Sequence, residues 1–361
     1  TRIGKLDLPE INPIMGSEKV QFYRNKLEFT FSNQRWLTQE QIDSGDEFDR
    51  DGLGFHIPGR FDKIVHVDTC YLQQDPSNAI RKGLYDFAKK EGLSFFELRE
   101  QKGLLRNLFI RTASSGDLMV MPVFFENDTE AITKVMEYLH ATFDNITSLQ
   151  YILNEKKNDS IHDLEPILYK GLPYIRQQME DLTFHVGPKS FYQTNDQQAF
   201  ELYKATRAMA KLTGDEIVYD LYTGTGTIAN FVAKNAKKVI GIEYIEEAVA
   251  DARVNSEINE VKNTVFFAGD MKDVFTEELI QKEGKPDVVI VDPPRAGMHE
   301  DVVKALRNAA PKRIVYVSCN PATQARDTQM LEDLYKVEAV QPVDMFPQTH
   351  HVENILTLEL K

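Results

Sequence analysis

Two short segments of this 361-residue chain carry side chains able to do chemistry, Asp292-Pro293-Pro294-Arg295 and Ser318-Cys319-Asn320-Pro321. Each closes an apolar run, Val288 to Val291 and Ile314 to Val317, of the kind that forms a buried parallel strand. Each should therefore present polar groups at the C-terminal edge of a sheet, where open α/β folds bind ligands. Cys319 is one of only two cysteines. Ser318, Asn320 and Pro321 make a turn around it, not a core strand, so its thiol is a candidate nucleophile for group transfer. At a strand end beside a helix start, its thiolate is expected to be favoured by the helix dipole.

A third segment, Asp220-Leu221-Tyr222-Thr223-Gly224-Thr225-Gly226, ends another apolar run and opens a helix. Glycines there let the backbone approach a ligand, and a helix N-terminus follows. Glu243 closes the next run, where a carboxylate can accept hydrogen bonds from both hydroxyls of a ribose. An adenosine-bearing cofactor suits this layout. Gly224-x-Gly226-x-x-Ala229 also satisfies the dinucleotide fingerprint, so on the loop alone a nicotinamide-dependent oxidoreductase competes. Asp220 tips the balance, because a carboxylate repels a pyrophosphate but suits the ammonium group of S-adenosylmethionine. Arg295 stands where amino-group methylases carry an aromatic after the prolines. With a cysteine nearby, that points to a ring carbon as methyl acceptor.

Carbon-5 of a pyrimidine is a poor nucleophile. A thiolate adding at carbon-6 makes carbon-5 reactive, and a base must later remove the carbon-5 proton before the thiolate leaves. The chemistry thus needs a thiol and a general base. Cys319 supplies the first. Glu353, in Phe346-Pro347-Gln348-Thr349-His350-His351-Val352-Glu353, supplies the second if the last strand begins at the same sheet edge. His350 and His351, taken as neighbours on a strand, point oppositely and do not make a metal site.

The elements that must position these groups alternate in the second half of the chain. Strand-like runs at 216–221, 238–243, 264–268, 287–291, 313–317, 336–340 and 352–358 are separated by helical spacing at 228–237, 245–259, 273–282, 300–308 and 321–334. A further helix is expected at 195–212. This is the pattern of a seven-stranded doubly wound sheet, an α/β fold. Residues 1–181 differ: strands at 22–31 and 118–125 and helices at 79–91 and 129–141 describe an α+β domain. The boundary is placed at 181, giving domains 1–181 and 182–361.

Composition sets limits. The net charge is −14, which disfavours nucleic acid unless a local basic patch supplies the phosphate contacts. Arg99, Lys102, Arg106 and Arg111 are the first candidate patch, and Arg24 with Lys26 the second. No run reaches the roughly 18 apolar residues of a membrane span. With two cysteines and no Cys-x-x-Cys pair, the chain is expected in a reducing, cytoplasmic compartment.

Together, Tyr23–Lys26, Phe191–Asn195, Asp220–Gly226, Asp292–Gly297, Ser318–Pro321 with Ala325–Asp327, and Phe346–Glu353 resemble the RNA 5-methyluridine (uracil-C5) methyltransferases over nearly the whole chain. The resemblance implies a Rossmann-like, mostly parallel methyltransferase sheet with an antiparallel last strand. It implies S-adenosylmethionine held by Gln193, Tyr222, Gly224, Glu243, Asp270 and Asp292, with Asp270 bordering the adenine and Asp292 close to the base. Cys319 would be the nucleophile, Glu353 the base, and Phe191 would stack on the target uracil; Arg106 and Arg111 are expected to face the RNA as part of the basic patch, on the charge pattern alone. It tilts the substrate toward 23S ribosomal RNA, with transfer RNA as the alternative, and a monomer acting away from membranes is expected. Two family features are missing: a small N-terminal β-barrel, and three cysteines that with a fourth hold an iron–sulfur cluster. Cys70, in His66–Leu72, stands where the fourth ligand belongs. The chain therefore reads as a shortened form whose other cluster ligands precede Thr1, the alternative being a buried cysteine in a member without a cluster.

Overall fold

The computed structural model describes residues 6–361, and the chain divides into two compact units. One holds residues 21–177 and 186–189; the other holds the residues up to Val20, 178–185 and 190–361. The partition thus differs from a single cut at 181. The N-terminal segment goes with the later unit because its backbone pairs there: Asn12 N–H donates to Val340 O, Met15 N–H to Pro342 O, and Asp344 N–H to Met15 O. No periodicity in residues 6–20 announces this pairing.

The first unit runs β1 (Lys26–Ser32), α1 (Gln39–Ser44), β2 (Gly52–Ile57), β3 (Arg60–His66), α2 (Ser77–Lys90), β4 (Leu105–Thr112), β5 (Leu118–Phe124), α3 (Thr129–Thr142), β6 (Ser148–Leu153) and β7 (Ile167–Gly171). Its seven strands lie in the order β3-β2-β1-β4-β5-β6-β7, antiparallel except for the β5–β6 pair. Phe29, Phe31, Leu108, Ile110 and Val120 form a core with Ile80 and Leu84 of α2 and Val135 and Leu139 of α3.

The basic stretch around residue 106 is corrected by this sheet. It is β4, the middle strand of seven, and is buried along almost its whole length. Arg106 has no exposed surface. Its guanidinium donates to Asn154 O (2.8 Å), Lys156 O (2.6 Å) and Asp159 Oδ1 (2.8 Å) and lies 4.6 Å from the centre of the Phe96 ring. Arg111 is 4% exposed, donates to Gly187 O, and has its pKa lowered to about 10 by burial. Neither cation is available to a phosphate; both satisfy buried carbonyls, which would otherwise cost stability. Of the other two, Arg99 pairs with Asp62 and Lys102 with Glu100.

Cys70 is buried in the same core. Its backbone N–H and C=O are both held by the Asn78 side chain. A cluster needs several thiolates, the only other cysteine belongs to the second unit, and no group of three or more His, Cys, Asp or Glu among the described residues is arranged to hold a metal. The residues present do not fit an iron–sulfur cluster.

After β7 the chain forms a two-stranded ribbon, β8 (Ile175–Met179) with β9 (Leu182–Val186). The second unit continues with α4 (Asp196–Ala210), β10 (Ile217–Leu221), α5 (Thr227–Ala233), β11 (Lys238–Glu243), α6 (Glu246–Ile258), β12 (Thr264–Ala268), α7 (Met271–Val274), α8 (Glu277–Glu283), β13 (Val288–Val291), α9 (Glu300–Ala309), β14 (Arg313–Ser318), α10 (Pro321–Gln329), β15 (Tyr335–Val343) and β16 (Glu353–Leu360). The strand order β12-β11-β10-β13-β14-β16-β15 is a doubly wound sheet in which β16 alone runs antiparallel to its neighbours. This is a Rossmann-like methyltransferase sheet. The helix expected at 273–282 is two short helices, because the Thr276 side chain caps a new start at Leu279 N–H. No helix among the described residues is long and apolar enough to cross a membrane.

Candidate active site

Strand register brings the sequence-separated groups to one edge of the second unit. Leu221 of β10 is level with Val291 of β13, and Val291 with Tyr316 of β14. Asp292 and Cys319 therefore emerge from adjacent parallel strands at their C-terminal ends. In the antiparallel β14–β16 pair, Ser318 faces Asn354, so Cys319, one residue on, comes opposite Glu353, one residue back. The last strand does enter from the ligand edge.

Three local devices hold the Cys319 turn. Ser318 Oγ accepts from Asn320 N–H at 3.1 Å, Asn320 caps α10 by accepting from Ala322 N–H, and Pro321 occupies the first helical turn. Asn320 Nδ2 and Thr323 Oγ1 both donate to Arg295 O, tying the nucleophile turn to the loop after β13. That loop is fastened a second time by Asp327, which accepts from Met298 N–H (2.8 Å), Tyr316 Oη (2.6 Å) and the Arg326 guanidinium. At Gly297, φ is +81°, and a Cβ would sit 2.6 Å from Asp327 Oδ2, so only glycine fits this close approach.

The electrostatics are set by burial. Glu353 is 5% exposed, and burial lifts its pKa to about 7. Burial and then Glu353 raise the Asp292 carboxyl to about 8. Asp220, fully buried, is raised to about 7 by burial with a further push from Asp292. Burial also raises the Cys319 thiol, and Glu353 and Asp292 add to that, while Arg295 opposes it. The expected dipole-favoured thiolate is thus corrected: Cys319 precedes the α10 cap, and desolvation with two acidic neighbours outweighs the helix. At neutral pH these carboxyls are therefore only partly ionised, which weakens their repulsion of a thiolate.

The cofactor candidates line the same edge on β10 to β13. Glu243 accepts from Gly224 N–H and Ile245 N–H, each at 3.0 Å, and its carboxylate has lone pairs left for hydroxyls. Gly224 has open space where a Cβ would stand, whereas Gly226 is pressed against Ala252 and Phe266. The first glycine serves close approach and the second serves helix packing. Tyr222 adopts φ +65°, rare for an aromatic residue; its phenol is raised to about 12, chiefly by burial. Asp270 caps α7 and pairs with Lys272. Tyr192 Oη is buried without a hydrogen-bond partner, a cost a native core rarely bears unless the group serves a ligand. The donor set fits an adenosine-bearing, positively charged cofactor.

Phe191 is 68% exposed and Gln193 half-buried, both in the stretch before α4. The α4 cap residue Asn195 donates to Met345 O at 3.0 Å, linking that stretch to the loop that leads into Glu353. His350 and His351 lie in this loop, not on a strand, with ring centres 4.2 Å apart, so the expectation that they point oppositely does not hold.

Residues 98–361 match the family model for tRNA (uracil-5-)-methyltransferase. The chain belongs to the tRNA (uracil-5-)-methyltransferase family. It is accordingly an RNA (uracil-C5)-methyltransferase, and the oxidoreductase alternative falls. An uncharacterized RNA methyltransferase of Bacteroides thetaiotaomicron is 58% identical over 364 residues, covering 100% of this chain and 80% of that protein. One from Chlorobaculum tepidum is 39% identical, over 99% of this chain and 75% of its own length. Among solved structures, the Pyrococcus abyssi tRNA (uracil-54, C5)-methyltransferase in complex with S-adenosyl-L-homocysteine superposes with a TM-score of 0.79 at 30% identity, covering 99% of this chain and 80% of that one.

Proposed function

We propose that this enzyme methylates carbon-5 of a uridine in RNA from S-adenosylmethionine, with Cys319 as nucleophile and Glu353 as general base. The observation that carries the reading is the register of β14 against β16, whose ladder ends at Ser318 opposite Asn354 and so leaves Cys319 and Glu353, the next residue on each chain, at one sheet edge with Asp292. The chemistry needs a thiol at carbon-6 and a base at carbon-5, two adjacent ring atoms, and the sheet delivers the two groups from adjacent strands.

When bound, S-adenosylmethionine supplies an electrophilic methyl group. Gln193, Tyr222, Gly224, Glu243, Asp270 and Asp292 would hold it, and the Asp220 carboxyl would suit its positive charge. The target base must leave its stack, at a cost of a few kcal/mol that is least in single-stranded loops. Phe191, exposed before α4, offers it a stacking surface. Cys319 then adds to carbon-6. Asp292, its pKa raised to about 8, would keep a hydrogen to donate to a base carbonyl as charge builds there. After methylation Glu353 takes the carbon-5 proton, the carbon-5–carbon-6 double bond re-forms, and the thiolate leaves. A group with a pKa near 7 suits that exchange.

Large-subunit ribosomal RNA is the proposed substrate class, on the sequence resemblance of the α+β unit. The transfer RNA named for the Pyrococcus abyssi relative favours a second reading. Mapping 5-methyluridine in both RNAs from cells lacking the gene decides between them. A Cys319→Ala enzyme should transfer no labelled methyl group to RNA; retained transfer overturns the nucleophile assignment.

A further inference from the structure

Beneath the Cys319 turn lies a buried amide pair to which neither the sequence motifs nor the chemistry above assigns a role. Gln324 is 1% exposed and Asn354 7%. Gln324 sits one helical turn beyond Asn320 on α10, and its backbone N–H donates to Asn320 O at 3.1 Å. Its side chain makes three contacts. Nε2 donates to Tyr316 O of β14 (2.8 Å) and to Asn354 O of β16 (3.1 Å), and Oε1 accepts from Asn354 Nδ2 at 2.6 Å. One side chain thus bridges the helix after the nucleophile, the strand before it, and the strand that begins with Glu353.

These contacts lie close to the reacting groups in sequence. Tyr316 is three residues before Cys319, and Asn354 directly follows Glu353. The Ser318–Asn354 pair ends the β14–β16 ladder, so beyond it no ladder hydrogen bond fixes the spacing of Cys319 and Glu353. A buried, fully used amide is a rigid connector, since leaving any of its partners unpaired is costly. A hydrophobic residue at 324 would pack as well against a sheet but would lose both donations to these carbonyls and the contact with Asn354 Nδ2.

We propose that the Gln324–Asn354 clasp positions Glu353 relative to Cys319 and thereby controls release of the covalent intermediate. The inference rests on the reading of Cys319 as nucleophile and Glu353 as base. Addition joins the Cys319 sulfur to carbon-6 of the uracil ring and makes no use of Glu353. Release uses both protein groups at once: Glu353 removes the carbon-5 proton, that electron pair re-forms the carbon-5–carbon-6 double bond, and the carbon-6–sulfur bond breaks with its electrons going to sulfur. A shift of Glu353 against Cys319 therefore falls on release more than on binding or addition. Gln324 and Asn354 are positioning residues, not catalytic ones.

The test compares Gln324→Met, which keeps volume but loses all three contacts, with Asn354→Ser, which loses only the side-chain contact to Gln324. Each is assayed with substrate RNA and S-adenosylmethionine for kcat, for the KM of both substrates, and for the fraction of enzyme covalently bound to methylated RNA. For Gln324→Met the account expects kcat to fall roughly 10- to 100-fold, as for a misplacement of about 1 Å, with both KM values within about twofold and the adduct fraction raised. Asn354→Ser should show the same pattern more weakly and keeps the test available should Gln324→Met not fold. Wild-type kcat in the variants, or activity lost without adduct accumulating, overturns the proposal. Glu353→Gln is run alongside: if it traps adduct and the clasp variants do not, only the clasp proposal fails, whereas methylation by Cys319→Ala would remove the reading beneath it.

Discussion

Replacing Asp327 with alanine is expected to be among the most damaging single changes in the second unit that touch no reacting group. Asp327 has no exposed surface and accepts from the Tyr316 hydroxyl, the Met298 N–H and the Arg326 guanidinium. Truncation leaves the first two donors buried without an acceptor, at about 1–3 kcal/mol each. Arg326 is half exposed, finds water, and adds little. The expected loss is therefore about 2–6 kcal/mol, and less for Asp327→Asn, which keeps one acceptor oxygen. The single tryptophan, Trp36, belongs to the other unit, so urea unfolding should be followed by far-ultraviolet circular dichroism, with amide exchange at Met298 as the local reporter. Exchange there should accelerate together with the loss of stability. A loss below about 1 kcal/mol with Met298 exchange unchanged would refute the view that this carboxylate fastens the loop after β13 to α10.

Burial raises Asp220, Asp292 and Glu353 above their unfolded values, so the folded state binds more protons between about pH 4 and pH 8. Their stabilising contribution is full below the unfolded pKa and fades as pH rises through 7–8; Asp292→Asn should flatten the fall of urea stability over that window, and an unaltered slope would contradict the assignment. Catalysis should move the other way: with Glu353 near 7 and Cys319 raised, the single-turnover rate should climb from pH 6 to pH 8.5, and a flat profile counts against both roles. Arg106→Ala should cost about 2–6 kcal/mol by leaving two carbonyls without this donor, half-exposed Asp159 being taken by water, while the salt dependence of RNA binding stays that of the wild type. A salt slope reduced by about one would instead restore Arg106 as a phosphate contact.

The second unit was legible because a parallel sheet buried on both faces writes each strand as an unbroken apolar run. Val288–Val291 and Ile314–Val317 could hardly be anything else, and the polar residues closing them had to lie at the ligand edge. Glu353 was less certain, since its placement depends on β16 running antiparallel, which no single segment encodes. In the first unit β4 misled: Arg106 and Arg111 interleaved with Leu, Phe and Ile look like a basic surface when the strand is read alone. They become structural only when β1 and β5 close over it and distant carbonyls at Asn154, Lys156 and Gly187 need donors. Cys319 shows the same limit. Its turn and helix start were visible, but the two acidic neighbours that raise its pKa come from other strands. Gln324 and Asn354 carried no signal, because an amide looks the same in a sequence whether it faces water or bridges three elements.

The central claim is that Cys319 and Glu353 act on one uracil ring in sequence, and intact-mass measurement of Glu353→Gln incubated with substrate RNA and S-adenosylmethionine tests it most directly. The account predicts that the protein gains the mass of methylated RNA, attached through Cys319 and released on nuclease digestion as a Cys319-linked methylated nucleotide. Free methylated RNA formed at the wild-type rate with no such adduct would contradict it.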